Sequence, residues 1–317
     1  MRCIDVFNGD ADGLCALQQL RLAEPAEAQL VTGVKRDIAL LERVAAGPGD
    51  LITVLDISLE RNRGALLRLL ECGAQLRYFD HHEAGEVPSH PRLQAVIDSS
   101  GGVCTSMLVD RHLGGRFRAW AVTAAFGDGL DEAAGGLGAA LALGAADLER
   151  LRELGRSLNY NAYGETEADL LVPPAELHRA LAPYDDPLRF AAESVLAQRL
   201  DEHRRADFAA ASGLRPHWSG RDAAVYVLPE EPWSRRISGT LANHLARSRR
   251  RRALAVLAPR RDGSYVVSLR VSKEAGRSAD AFCRGFAGGG RREAAGIDRL
   301  PPARLEEFLR AFSAAFG

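Results

Sequence analysis

The chain has 317 residues and near-balanced charge, 41 lysines and arginines against 42 aspartates and glutamates for a net charge of -1. That length is ample for a buried core and suggests about two domains, while the absent positive field argues against holding long nucleic acid by counterion release. Five cysteines without CxxC spacing exclude a disulfide framework and a zinc knuckle, and the basic residues are almost all arginine, with Lys35 and Lys273 the only lysines. No apolar run approaches membrane-spanning length, and "MRCIDVF" passes directly into polar "NGDADG", so a cytoplasmic protein with no membrane partner is expected.

In chain order, "CIDVF" precedes the helical "GLCALQQLRLA", "AQLVTGV" precedes "DIALLERVAA", and "LITVLDI" precedes "LERNRGALLRLLECG"; "QLRYFD" follows, then "LQAVID" before the helical "GVCTSMLVDRHL". Short strands alternating with amphipathic helices predict βαβ units, hence an α/β domain with a mostly parallel sheet and flanking helices. In such a sheet ligands bind beyond the carboxyl ends of the strands. Asp10, Asp12, Asp56, Asp80 and Asp98 all follow strands, and Asp128 ends "AWAVTAAFGDG", read as a buried helix returning to the same rim. Singly, each is also explained as a cap or turn residue.

Residues 131 to 208 read as helical, with proline breaks at "VPPAEL" and "APYDDPL". Beyond Gly213, "AAVYVL", "ALAVLAP" and "YVVSLRV" read as strands around the helix "SGTLANHLARSRRRR". The expected organisation is a catalytic, metal-binding domain over 1–190, a connecting helix over 191–213 and a smaller α/β substrate domain over 214–317.

Crowded carboxylates raise one another's pKa unless a cation neutralises them. Oxygen ligands with one or two nitrogens and no thiolate favour manganese or magnesium over structural zinc. Asp10 and Asp12, separated by one residue in "GDADG", suit two ions, which together activate water and stabilise both oxygens of a phosphoryl transfer.

"FNGDADG", "VLDIS", "YFDHH" and "FGDG", in that order, resemble the four motifs of the DHH phosphoesterase superfamily, and "VVSLRVS" followed by "FAGGGRREAAG" resembles its DHH-associated substrate domain. The resemblance implies that Asp10 binds one manganese and Asp12 the other, with Asp56 bridging and His81 and Asp128 completing the second site; magnesium is the alternative. It implies catalytic roles for His82, facing the phosphate or leaving oxygen, and for Asp80, orienting a histidine. Val6 stands where many members carry a histidine, and Asn8 where RecJ-like members carry an aspartate. Asn8 is therefore either a weak metal ligand or a shaper of the turn.

In the glycine loop Arg291 replaces the family's histidine. Gly288, Gly289 and Gly290 let backbone amides approach a ligand, and Arg270 and Arg291 are expected to grip a terminal phosphate or nucleotide edge, with Arg292 able to take Arg291's part. "SSGGVCTS" offers Ser100 and Thr105 to a phosphate, with Ser99 or Ser100 at a helix start, though N-capping alone explains the serines. Asn159, Tyr160 and Tyr163 stack a base or form a packing face. The arginine run 247–252 reads as a helix C-terminus with cations on its dipole. His90, His112, His178, His203, His217 and His244 show no partner pattern.

The resemblance implies a manganese-dependent phosphodiesterase whose partner is a short nucleotide, with the cleft between its domains selecting length; linear dinucleotides such as pGpG or pApA, or very short RNA, are the expected class. The alternatives are a RecJ-like single-strand exonuclease, which would generally carry a further nucleic-acid-binding module, a phosphatase acting on a nucleoside bisphosphate, pyrophosphate or polyphosphate, and a non-catalytic nucleotide sensor. The sequence leaves the oligomeric state open, a homodimer included.

Overall fold

Five apolar runs become β1 (Cys3–Asn8), β2 (Ala28–Gly33), β3 (Leu51–Leu55), β4 (Gln75–Asp80) and β5 (Leu93–Ile97) in a computed structural model that describes residues 2–248 and 253–317. The strands are all parallel in the order β2-β1-β3-β4-β5, with Val6 of β1 opposite Val31 on one side and Val54 on the other. A parallel sheet is covered on both faces, so its central strands are apolar on both. Phe7, Leu55 and Phe79 enter one core, with Leu14, Trp120 and Leu158. Ile4, Val6, Ile52, Val54 and Tyr78 enter the other, with Leu66 and Leu69.

On the first face lie α1 (Ala11–Ala23), α3 (Thr105–His112), α4 (Arg118–Gly127) and α6 (Ala145–Asn161), with α5 (Asp131–Ala140) against α4; α2 (Leu59–Glu71) covers the second face. "DIALLERVAA" was expected to be a full helix and is only a 3-10 turn, Leu40–Arg43. The buried side chain of Asn62 explains the difference: it accepts from the Leu41 N–H at 3.2 Å and donates to the Ile38 carbonyl at 2.6 Å, taking backbone groups that a helix would pair internally. The helices α7 (Pro174–Leu181) and α8 (Pro187–Glu193) each start on a proline, which ends one helix and opens the next because its missing N–H is an orphan there anyway. They are followed by α9 (Val195–Ser212).

The chain divides into two units, Met1–Glu202 and His203–Gly317. The second carries a six-stranded mixed sheet. Its elements are β6 (Trp218–Ser219), β7 (Ala223–Val227), α10 (Pro232–Ser248), β8 (Ala253–Pro259), β9 (Tyr265–Val271), α11 (Ala279–Arg284), β10 (Gly289–Gly290), β11 (Ala294–Leu300) and α12 (Leu305–Phe316), with strand order β10-β11-β9-β8-β7-β6. Its core is a phenylalanine cluster in which Phe282 meets Phe308 edge-on at 5.5 Å between ring centres, with Phe286, Phe312 and Phe316 around them. The basic run 247–252 lies outside the described residues apart from the backbone of its first two positions. Among the described residues no helix is long and apolar enough to cross a membrane.

One buried histidine sets a pH limit on the first unit. His178 on α7 is 7% exposed and packs on Phe7; burial, then the charges of Arg21 and Arg179, push its pKa down from 6.5 to about 4. The unfolded chain takes up this proton near pH 6.5 and the folded chain does not until about pH 4. Stability from this site is therefore intact above about pH 6.5 and lost as pH falls towards 4, by on the order of 3 kcal/mol. In urea unfolding at pH 7 and pH 4.5, His178→Leu should lose less stability between the two pH values than the wild type; equal losses would refute the assignment.

Candidate metal centre

Strand ends and one helix end converge at one edge of the parallel sheet, entirely within the first unit. After β1, Asp10 takes an extended backbone (φ -86°) as N-cap of α1, and one carboxylate oxygen accepts from the N–H groups of Asp12 at 2.9 Å and Gly13 at 3.1 Å. A Cβ at Gly13 would lie 2.1 Å from the Asn8 carbonyl oxygen, so only glycine lets the helix press this close to the strand end. Asp12 is fully buried, and its two oxygens accept from the Thr105 and Ser106 N–H groups, each at 2.7 Å. It thereby caps α3 from a distant part of the chain.

Asp56 follows β3 with φ at 59°, a left-handed backbone that an aspartate tolerates at a cost of about 1 kcal/mol. One of its oxygens accepts from the Thr105 hydroxyl at 3.2 Å and lies 3.4 Å from His81 Nε2. Asp128, the C-cap of α4, brings its other carboxylate oxygen to 4.0 Å from the same nitrogen. His81 is oriented for this role, because its Nδ1 bonds the Val103 carbonyl at 3.0 Å and leaves Nε2 as the acceptor facing the carboxylates. His82, exposed beside it, has its Nδ1 held at 2.7 Å by fully buried Asp80. Burial pulls the His82 pKa down, but the hydrogen bond and charge of Asp80 outweigh it and raise it.

Electrostatics shows a site short of positive charge. Burial, then the neighbouring carboxylates of Asp10, Asp12 and Asp128, push Asp56 well above the ordinary carboxylate range. Burial raises Asp128 to about 6, with Lys35 and His81 opposing and Asp10 and Asp12 adding. Among the described residues, two ligand-sized sets lie within 4.8 Å: Asp12, His81 and Asp128, and Asp56, His81 and His82. Oxygen donors, an oriented imidazole and carboxylates driven towards protonation fit a divalent cation of the manganese or magnesium type. These groups are positioned to hold one.

In the second unit, Arg270 on β9 pairs in register with Ala294 of β11, and its Nε donates to Asn243 on α10 at 2.6 Å. Gly289 and Gly290 form β10 opposite Gly296 and Ala295. A Cβ at Gly288 would meet the Gly296 carbonyl at 2.2 Å and one at Gly290 the Ala295 Cα at 2.5 Å, whereas a Cβ at Gly289 would meet nothing within 4 Å. Gly288 and Gly290 are required by strand packing, whereas a side chain at Gly289 would meet open space. Arg291 and Arg292 follow as exposed side chains, with the Arg291 N–H bonded to the Ala294 carbonyl at 2.8 Å.

Residues 221–317 match the DHHA1 domain family. Over 99% of its length the chain superposes on a crystal structure of exonuclease RecJ bound to manganese, with TM-score 0.65, 20% identity and 89% of that chain covered. The chain shares the fold of RecJ, and its residues 221–317 carry the DHHA1 match. RecJ of Thermus thermophilus in complex with Mn2+ matches with TM-score 0.64 and 22% identity over 99% of this chain but 51% of that one, so this chain spans about half its length. The pGpG-specific phosphodiesterase PggH from Vibrio cholerae matches over the whole of both chains, with TM-score 0.61 and 14% identity. No curated protein sequence matches at a significant level.

The start of the helix after β5 and the place of Asp98 differ from the sequence-based expectation, and Asn8 takes one of the two roles left open for it. The helix after β5 begins at Thr105 and not at Ser99 or Ser100, because the Asp98 carboxylate accepts from the N–H and hydroxyl of Ser100 and closes a turn there. Asp98 itself pairs with Arg111 at 3.2 Å and is engaged away from the carboxylate cluster. Asn8 shapes the turn: its amide oxygen accepts from the Asp10 N–H at 3.2 Å and its NH2 donates to the Lys35 carbonyl at 3.3 Å.

Sequence reasoning missed Lys35, whose ammonium contacts Asp10, Asp128 at 3.4 Å and Asn159 at 3.1 Å, 5.9 Å from the centre of the Tyr163 ring. Burial opposes its charge, but Asp10 and Asp128 outweigh burial and raise its pKa well above the ordinary value; the same contact, working against burial, holds Asp10 at about 2. Two signals were available: it is one of two lysines in an arginine-rich chain, and it lies just past the carboxyl end of β2. Asn159 and Tyr163 face this lysine, while Tyr160 is wholly buried.

Proposed function

We propose that this chain is a metal-dependent phosphodiesterase that hydrolyses linear dinucleotides or very short oligonucleotides to mononucleotides. The observation that carries the reading is the convergence of Asp12, Asp56 and Asp128 on one oriented His81 nitrogen, with two of the carboxylates held above their ordinary pKa by burial and mutual repulsion. Manganese or magnesium bound there would supply Lewis acidity towards a phosphoryl oxygen.

The chain's own groups supply the rest. Asp80 fixes the His82 ring through Nδ1 and raises its pKa, which favours the protonated ring and leaves Nε2 as the group to give a proton to a leaving oxygen. The Val103 carbonyl holds His81 in the tautomer that a metal ligand requires. In the DHHA1 domain, Arg270, exposed Gly289 and exposed Arg291 or Arg292 are proposed to bind the terminal phosphate of the substrate.

Balanced net charge and the full-length match to PggH favour a short substrate. The match to two RecJ structures favours a second reading, a single-strand exonuclease. Turnover with manganese on 5'-phosphorylated oligomers of increasing length separates them. Dinucleotides should turn over fastest, with activity falling as the strand lengthens; activity rising beyond about ten nucleotides, the range of single-strand tracks, would replace the dinucleotide reading by the exonuclease. Inorganic phosphate as first product would replace both by a phosphatase.

A further inference from the structure

Lys35 is anchored on both sides of its Cα. Its N–H donates to the Ala162 carbonyl at 2.9 Å, and its carbonyl accepts from Asn8 at 3.3 Å. The ammonium has three N–H donors, and three oxygens surround it: one each from Asp10, Asp128 and Asn159, the last two at 3.4 and 3.1 Å. Tyr163 lies beside this cluster with its ring centre 5.9 Å from Nζ.

This arrangement uses up Asp10. One Asp10 oxygen caps the first turn of α1 and the other meets Lys35, and Asp10 belongs to neither ligand-sized set. Asn8 contributes no charge, and its oxygen is turned to the Asp10 N–H. A cation position bounded by Asp10 and Asp128 is thus filled by a side chain, while the two sets that share His81, Asp12 with His81 and Asp128 and Asp56 with His81 and His82, remain arranged for a metal. An ammonium donates where a divalent ion would accept lone pairs, so it supplies one positive charge and the contacts of an ion without its Lewis acidity.

We propose that the Lys35 ammonium replaces one of two divalent cations, so that the centre works with one metal and one lysine. The inference rests on the metal-dependent reading of this same site. Its consequences are a centre that takes up a single manganese and an Asp10 carboxylate whose partner is fixed in the chain.

The test is manganese stoichiometry by calorimetry and low-temperature electron paramagnetic resonance on the full chain, for wild type, Lys35→Met and Lys35→Arg. Wild type and Lys35→Arg should bind one manganese with the six-line signal of an isolated ion. Lys35→Met, which keeps the apolar stem and frees Asp10 and Asp128, should bind a second ion and give the spectrum of a spin-coupled pair. A coupled pair in wild type overturns the proposal, as does a single ion in a folded Lys35→Met protein. Should Lys35→Met fail to fold by circular dichroism, the wild-type stoichiometry decides alone: one ion supports the proposal and two overturn it. No manganese bound by wild type would overturn the metal-dependent reading itself, an outcome distinct from two.

Discussion

Asp56→Asn should give a folded protein that has lost about 10³-fold or more of the proposed phosphodiesterase activity, yet melts higher than wild type when no metal is present. Both effects come from the same charge. Asp56 is 2% exposed, and burial together with three neighbouring aspartates raises its folded pKa well above its unfolded value. The folded state therefore binds this proton more tightly than the unfolded chain, and without metal the site loses stability as pH rises above the ordinary carboxylate range. An amide carries no charge to repel and removes that loss. It also keeps the oxygen that accepts from Thr105, and asparagine tolerates the left-handed backbone at φ 59°. At pH 7.5 in chelator, the variant's midpoint should exceed that of wild type by roughly 3 °C, on the scale of a kcal/mol for a domain this size. Added manganese should raise the wild-type midpoint through linkage and leave the variant's nearly unchanged. A chelated variant that melts below wild type would show that Asp56 is not electrostatically stressed, and retained activity would remove it from the centre.

The strands of the first unit were legible because a doubly covered parallel sheet writes itself as short apolar runs, and the metal centre was legible because acidic residues recur at the ends of those runs. That rule places Asp10, Asp12, Asp56 and the Asp80–His81 pair at one rim, and Asp98 with them, while Asp128 comes from reading its segment as a returning helix and the ligand roles from the family resemblance. What the rule could not supply were contacts with no local signal. Lys35 meets Asp128 and Asn159 across 93 and 124 residues, from a polar loop without periodicity. The start of α3 failed for a related reason. A serine pair before a helical run looks like a cap, but Asp98 keeps Ser100 in a turn while the cap of Thr105 and Ser106 comes from Asp12, 93 and 94 residues away. Local capping rules locate helix ends only where the partner is local. The turn at Leu40–Arg43 repeats the lesson, since Asn62 supplies from α2 the hydrogen bonds that "DIALLERVAA" would otherwise make with itself.

That long-range cap makes Asp12 the opposite of Asp56 in its stability effect, although both belong to one acidic cluster. Asp12→Ala leaves the N–H groups of Thr105 and Ser106 without acceptors in a fully buried setting, where each orphan costs about 1–3 kcal/mol. Removing a charge from the crowded cluster offsets part of this, and a net loss of about 2–4 kcal/mol is expected in chelator. Asp12→Asn should fall between, because an amide presents one acceptor and turns its NH2 against the other N–H. Hydrogen exchange locates the damage: the first turn of α3 should lose protection before the strands do. If urea unfolding of metal-free Asp12→Ala matches wild type, α3 is held by something other than this carboxylate. If instead Asp12→Ala is destabilised while Asp56→Asn is stabilised, the two aspartates divide the cluster between them, one tying the fold together and the other straining it for the sake of the cation.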